Sequence, residues 1–162
     1  DRMLLFDEKQ AFDGILKDYP NIKVTKEEVD IPGYLQDGMD YATAWLASRP
    51  EGDVNYAIWG SWDDPALGAI SALKQMNRAD VKVYGQNGNA DALNSIRDGW
   101  MTATSWEDCY GEGLAAIEAI EKIMADKEGF EQGAYEMPAT VITADNIEDF
   151  IAEHPEVIEN VQ

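Results

Sequence analysis

An α/β fold, with a mainly parallel sheet and helices on both faces, follows from three features of the 162-residue sequence. Short apolar, β-branched runs alternate with helical patterns long enough to serve as crossover connections. Several of those runs are continuous rather than alternating, the pattern of strands covered on both sides. The length suits one domain, which at this size buries about 70% of its unfolded surface and needs no disulfide or metal to hold a core.

Taken in order, Leu5, Phe12, Ile15 and Leu16 stripe a first helix that ends before Pro20, and Ile22–Thr25 reads as a strand. Leu35, Met39, Ala42 and Leu46 recur at helical spacing and are stopped by Pro50 and Gly52. Asn55–Gly60 is the next strand. The helix after it runs from about Asp64 to Met76, with Asp63 or Asp64 as its cap, Pro65 in its first turn and Ala66, Ile70, Leu73 and Met76 facing inward. Strand Val81–Gly85, helix Ala90–Arg97, strand Met101–Ser105 and a long helix from about Asp108 to Lys127 follow. Thr140–Thr143 reads as the last strand and Asn146–Ala152 as a short closing helix. Parallel domains of this kind usually open on a strand, whereas this sequence opens on a helical pattern, so an opening strand is expected upstream of Asp1.

Twelve Lys and Arg stand against 32 Asp and Glu, a net charge of −20. Nucleic-acid binding, which draws its affinity from cations that neutralise phosphates, is excluded by that balance, as is docking on anionic membranes. The single cysteine, Cys109, allows no internal disulfide, and the single histidine, His154, reads as a solvated surface residue. The start of the chain has neither a signal peptide nor an initiator Met, which fits a processed chain or a fragment. There is no phosphate-cradling glycine loop, no dinucleotide turn and no nucleophile elbow, so neither an enzyme nor a cofactor is predicted. Asn87, Asn89, Asp91 and Asp98 imitate part of a calcium loop by chance, with Ala92 where the loop needs Gly, and no metal site is expected.

Ligands of open parallel sheets bind at the carboxyl ends of the strands. Those ends carry Ser61-Trp62-Asp63-Asp64, Gln86-Asn87-Gly88-Asn89 and Trp106-Glu107-Asp108. Carboxylates and amides pair with adjacent hydroxyls, and flat aromatic faces pack on the C–H faces of a sugar ring, so the set suits a neutral polyhydroxy ligand. Bland readings stand beside this one: Asp63 or Asp64 caps a helix, Asn87-Gly88 supplies a positive-φ turn, Trp59 is core, and Trp62 and Trp106 pack.

Asp63-Asp64-Pro65-Ala66-Leu67-Gly68-Ala69-Ile70-Ser71-Ala72-Leu73 resembles a helix of type I periplasmic solute-binding proteins, the ribose-binding-like receptors of sugar ABC transporters. Asp80–Gly88 is similar to their strand and Asp-Gly turn, and Ala92–Gly99 with Thr102-Ala103-Thr104 to the segment that follows. Gly111 or Gly113 opening a long helix and the run Pro138–Asn146 complete a series in the same order over residues 9 to about 147.

The resemblance implies the second, C-terminal lobe of a two-lobe receptor, with the first lobe encoded elsewhere. Residues 1–107 would be the lobe core, 108–135 a helix that crosses the hinge to pack on the first lobe, and 136–162 a returning strand and tail. It also implies capture of a sugar or polyol between the lobes, delivery to a membrane permease, and a periplasmic or extracellular location, with a lipid anchor as one means of retention. Position by position, ligand contacts fall on Trp62, on Asn87 25 residues later, on Glu107 at the hinge and near Tyr34, with Asp63 and Trp106 beside them. Trp, Asn and Glu replace the Asn, Asp and Gln of the ribose receptors, and Glu8 stands where they carry an Arg. The effector domain of a sugar-responsive repressor shares this fold, and a flavodoxin-like enzyme or signalling domain is a more distant alternative.

Overall fold

The computed structural model describes residues 12–52, 55–130, 133 and 138–159. Four strands form one sheet in the order β1 (Ala57–Trp59), β2 (Lys82–Asn87), β3 (Ala103–Trp106) and β4 (Thr140–Thr143). The first three run parallel; β4 is antiparallel to β3, with Thr104 opposite Ile142 and Trp106 opposite Thr140. The helices are α1 (Tyr34–Leu46), α2 (Asp63–Met76), α3 (Ala90–Arg97), α4 (Cys109–Ala125), α5 (Ile147–Glu153) and α6 (Glu156–Glu159). The mainly parallel α/β sheet and the α1, α2 and α3 elements stand where the periodicity placed them.

Register explains the core. Ile58 lies opposite Val83, and Gly85 opposite Thr104, which in turn faces Ile142, so these residues share one side of the sheet. Ala66, Ile70 and Leu73 of α2, Leu93 and Ile96 of α3 and Phe150 of α5 pack on that side. Leu73, Leu93, Val83 and Ile142 are all 0% exposed, and each such aliphatic side chain stabilises the fold by about 1.5–3 kcal/mol. Helix α1 lies on α2 at close range: a Cβ on Gly38 would overlap the Pro65 carbonyl, and one on Gly68 the Leu35 carbonyl.

The other side of the sheet is less fully covered by the described residues. Lys82 and Tyr84 alternate outward from β2, and Trp59, Tyr84 and Val141 are 45, 37 and 57% exposed. Among the described residues its cover is the helical stretch 12–16, where Phe12 stacks on Trp59 with ring centroids 5.3 Å apart. Trp59 is therefore not a core residue, because its place in the β1 alternation points it to this open side. Most of the first predicted helix, Leu5 included, lies outside the described residues.

Two more expectations are corrected. Ile22–Thr25 forms no strand, since no described edge runs alongside to exchange backbone hydrogen bonds, and Ile22 and Val24 are 55 and 42% exposed. His154 is not a freely solvated residue: its ring lies 4.5 Å from that of Trp106 and 4.9 Å from that of Phe150. The one-turn α6 was not foreseen, being too short to show a period.

Candidate functional site

The β1–α2, β2–α3 and β3–α4 connections all emerge at the carboxyl end of the parallel strands. One side chain ties them together. The Asp63 carboxylate, fully buried, accepts from the Thr104 hydroxyl at 2.7 Å through Oδ1 and from the Asn89 N–H at 2.8 Å through Oδ2. Thr104 Oγ1 in turn accepts from the Gly88 N–H at 3.3 Å. Gly85 must lack a side chain for this, because a Cβ there would overlap Asp63 Oδ1. Burial pushes the Asp63 carboxyl above its ordinary range, although the Thr104, Asn89 and Gly88 donors pull the other way. Asp63 thus braces the strand ends from within and presents nothing to a ligand. It does not cap α2 either: Trp62 occupies the cap position and Asp63 is the first helical residue. The neighbouring Asp64 accepts from Asn89 Nδ2 at 3.2 Å, and Asn89 Oδ1 caps α3 by accepting from the Ala92 N–H at 2.9 Å.

The turn after β2 is strained in the left-handed region, with φ of 106° at Asn87 and 72° at Gly88. A Cβ on Gly88 would also press on Trp106, so this position suits only glycine. The turn aims Asn87 at the next strand end. Asn87 Nδ2 donates to Glu107 Oε2 at 2.8 Å, and Gln86 Nε2 donates to Glu107 Oε1 at 2.7 Å. The backbone adds a third link, Glu107 N–H to the Asn87 carbonyl at 3.2 Å. Asn87 and Glu107, selected in the sequence as separate candidates, therefore form one half-buried unit. Gln86, read in the strand-end set but not assigned a ligand contact, belongs to it; its place at a strand end beside Asn87 was the signal available.

Trp62 and Tyr34, the two aromatic candidates, meet edge to face at 5.7 Å. They touch because α1 lies across the start of α2. Trp62 immediately precedes Asp63, whose carboxylate accepts from the Asn89 N–H two residues after Asn87. Trp106, opposite Asn87 in the register, points to the buried side of the sheet and packs edge to face on Phe150 at 5.2 Å. Of its two readings, packing is the one observed. A shallow hollow of about 320 Å³ lies between α2 and α3, lined by residues such as Leu67, Lys74 and Asn94, with Asp64 alone of the strand-end carboxylates on its wall.

Glu107 is also where the chain leaves the sheet. Asp108 caps α4 by accepting from the Gly111 N–H at 2.8 Å, and the chain comes back at Thr140, whose cross-strand partner is Trp106. Departure and return are thus side by side. Between them α4 has no buried residue, and Leu114, Ile117 and Ile120 on its apolar stripe are 46, 55 and 56% exposed.

The sequence profile described as "Periplasmic binding protein domain" matches residues 5–128. A xylitol-binding protein of Mycolicibacterium smegmatis is 30% identical over 147 residues, which are 90% of this chain and 40% of that protein. A putative rhizopine-binding protein of Rhizobium meliloti is 31% identical over 115 residues, 70% of this chain and 36% of that one. This chain therefore spans well under half the length of these relatives. Among solved structures, an ABC transporter solute-binding protein from Agrobacterium vitis with bound allitol superimposes with a TM-score of 0.76 at 26% identity, over 86% of this chain and 49% of that one. Since the profile alone runs through most of the sequence, the chain belongs to the periplasmic binding protein family.

Proposed function

We propose that this chain forms one lobe of the solute-binding component of an ABC transporter, which captures a sugar or polyol between two lobes and hands it to a membrane permease. The observation that carries this reading is the Glu107 carboxylate, held by Gln86 and Asn87 at the strand ends where the chain leaves the sheet. Trp62 and Tyr34 supply aromatic surface for the C–H faces of the ligand, and Asn87 and Glu107 pair with its hydroxyls. Asp63 is the positioning residue that keeps the strand ends at their spacing. The lobe core is residues 1–107, residues 108–135 cross to the other lobe, which covers the open stripe of α4, and residues 136–162 return.

Binding rather than catalysis is the role. Each lobe holds part of the contact set, and a ligand completes both only when the lobes close. Closure expels water, so a buried hydroxyl must find a partner, and ligands with a misplaced hydroxyl are rejected. The compartment that fits this role is the periplasm or the outer cell surface. The effector domain of a repressor shares the fold but has no observation in its favour, and the relatives named above are called binding and transport proteins.

Isothermal titration of the complete gene product against a panel of pentoses, hexoses and linear or cyclic polyols tests the reading. At least one member is expected to bind with quenching of tryptophan fluorescence, and Trp62→Ala is expected to weaken it at least tenfold. Silence from the entire panel would refute it.

A further inference from the structure

Resting on that reading, we infer that the Asn87–Glu107 unit is a donor-reading subsite: it takes hydroxyl or ammonium groups of the ligand and turns away carboxylate or phosphate. A carboxylate only accepts hydrogen bonds, so the two amides that touch it must present their NH2 groups to it. Their distances of 2.7 and 2.8 Å are those of charge-assisted bonds. Once Asn87 Nδ2 is committed to Glu107, its Oδ1 is directed away, and that end of the side chain is again an acceptor. Each Glu107 oxygen has taken one amide donor and retains capacity for a second.

No cation within the strand-end segments offsets this. The strand-end segments 60–64, 86–89 and 106–108 contain Asp63, Asp64, Glu107 and Asp108 and not one Lys or Arg. In the closed cleft the low dielectric magnifies whatever charge the ligand brings. A ligand hydroxyl donates to Glu107, and an ammonium group donates and is attracted besides. A ligand carboxylate can do neither, and leaves Glu107 without its remaining partner. The wall described here therefore ranks amine-bearing polyols at or above neutral ones, and both well above sugar acids.

Three probes of one carbon skeleton decide the matter by titration of the complete gene product: xylitol, its aminodeoxy derivative, and the dicarboxylate xylarate, which cannot escape by binding end for end. The dicarboxylate is expected to bind at least tenfold more weakly than xylitol, equivalent to about 1.4 kcal/mol, and the aminodeoxy compound at least as tightly as xylitol. In Glu107→Gln the ratio between dicarboxylate and xylitol should shrink severalfold, whatever happens to the absolute affinities. If that variant does not fold, the wild-type ratio measured from low salt to about 1 M salt serves instead, because screening should compress it. Binding that ignores ligand charge, or a ratio that neither the variant nor salt moves, overturns the inference and leaves the cleft reading intact. No binding by any of the three, together with silence from the wider panel, overturns the cleft reading itself.

Discussion

Helices α2 and α4 are similar in length, 14 and 17 residues, and both repeat apolar residues at helical spacing. Helix α2 buries Ala66, Ala69, Ile70, Ala72 and Leu73 between α1 and the sheet, and its first residue, Asp63, is sealed inside the brace at the strand ends. Helix α4 buries nothing, and Met124 near its end is 82% exposed. The contrast shows what amphipathicity means: the apolar stripe announces that a helix has a partner but says nothing of where that partner is. For α2 the partner is the adjoining sheet. For α4, launched from Glu107 at the carboxyl end of β3, no described residue buries the stripe.

The largest effect is expected in the core of α2. Leu73→Ala should lower stability by about 3 kcal/mol, the usual cost of an emptied aliphatic site, measured as a shift of the urea midpoint. A loss below about 1 kcal/mol would mean α2 is less firmly seated than its burial indicates. Next comes the brace. Asp63→Ala leaves the Asn89 N–H and the Thr104 hydroxyl buried without their acceptor, which should cost about 2–3 kcal/mol, and amide exchange at Asn89 should accelerate.

The pH dependence sharpens the same point. Burial raises the Asp63 carboxyl above its ordinary value near 3.8, so folding favours its protonated form. Its contribution is therefore full below that ordinary value and is lost as pH rises through the raised one. Asp80 and Glu148 are held low by Arg78 and Arg97, so their contributions are present above the ordinary carboxylate range and fade as acid is added. The stability gap between wild type and Asp63→Asn should accordingly be widest near pH 4 and narrow toward neutrality, read from urea midpoints across that range. A gap that widens instead would assign the wrong sign to the brace. The smallest effect belongs to α4: Ile117→Ser in this chain should change stability by less than about 0.5 kcal/mol. Where the other lobe covers the helix, the same substitution should cost more than about 1 kcal/mol.

Legibility in the sequence followed the range of the interactions. The α3 boundaries Ala90–Arg97 were readable because the Asn89 cap and the 3.6-residue period are local. Trp59 was misread as core because its strand run is apolar on both alternating sides, and only register tells which side is covered. Trp106 stayed ambiguous and His154 was misread as solvated because Trp106 meets Phe150 and His154 from more than 40 residues away in sequence. In the candidate site, Asn87 and Glu107 were each legible from their places after strands. That they hold one another, with Gln86 as a third member, depends on the β2–β3 pairing that sets Asn87 beside Trp106.

By itself, then, the sequence determined the alternation of strands and helices, the acidic and cation-free character of the strand ends, and the presence of an apolar stripe on α4. These rest on side-chain period, composition and caps, all properties of neighbours along the chain. Only the tertiary structure decided that Asp63 turns inward as a brace while Glu107 remains in reach of the surface, and that among the described residues none buries the stripe of α4. Those outcomes depend on which strand ends come to lie side by side, a relation between residues 20 or more positions apart that no local pattern encodes.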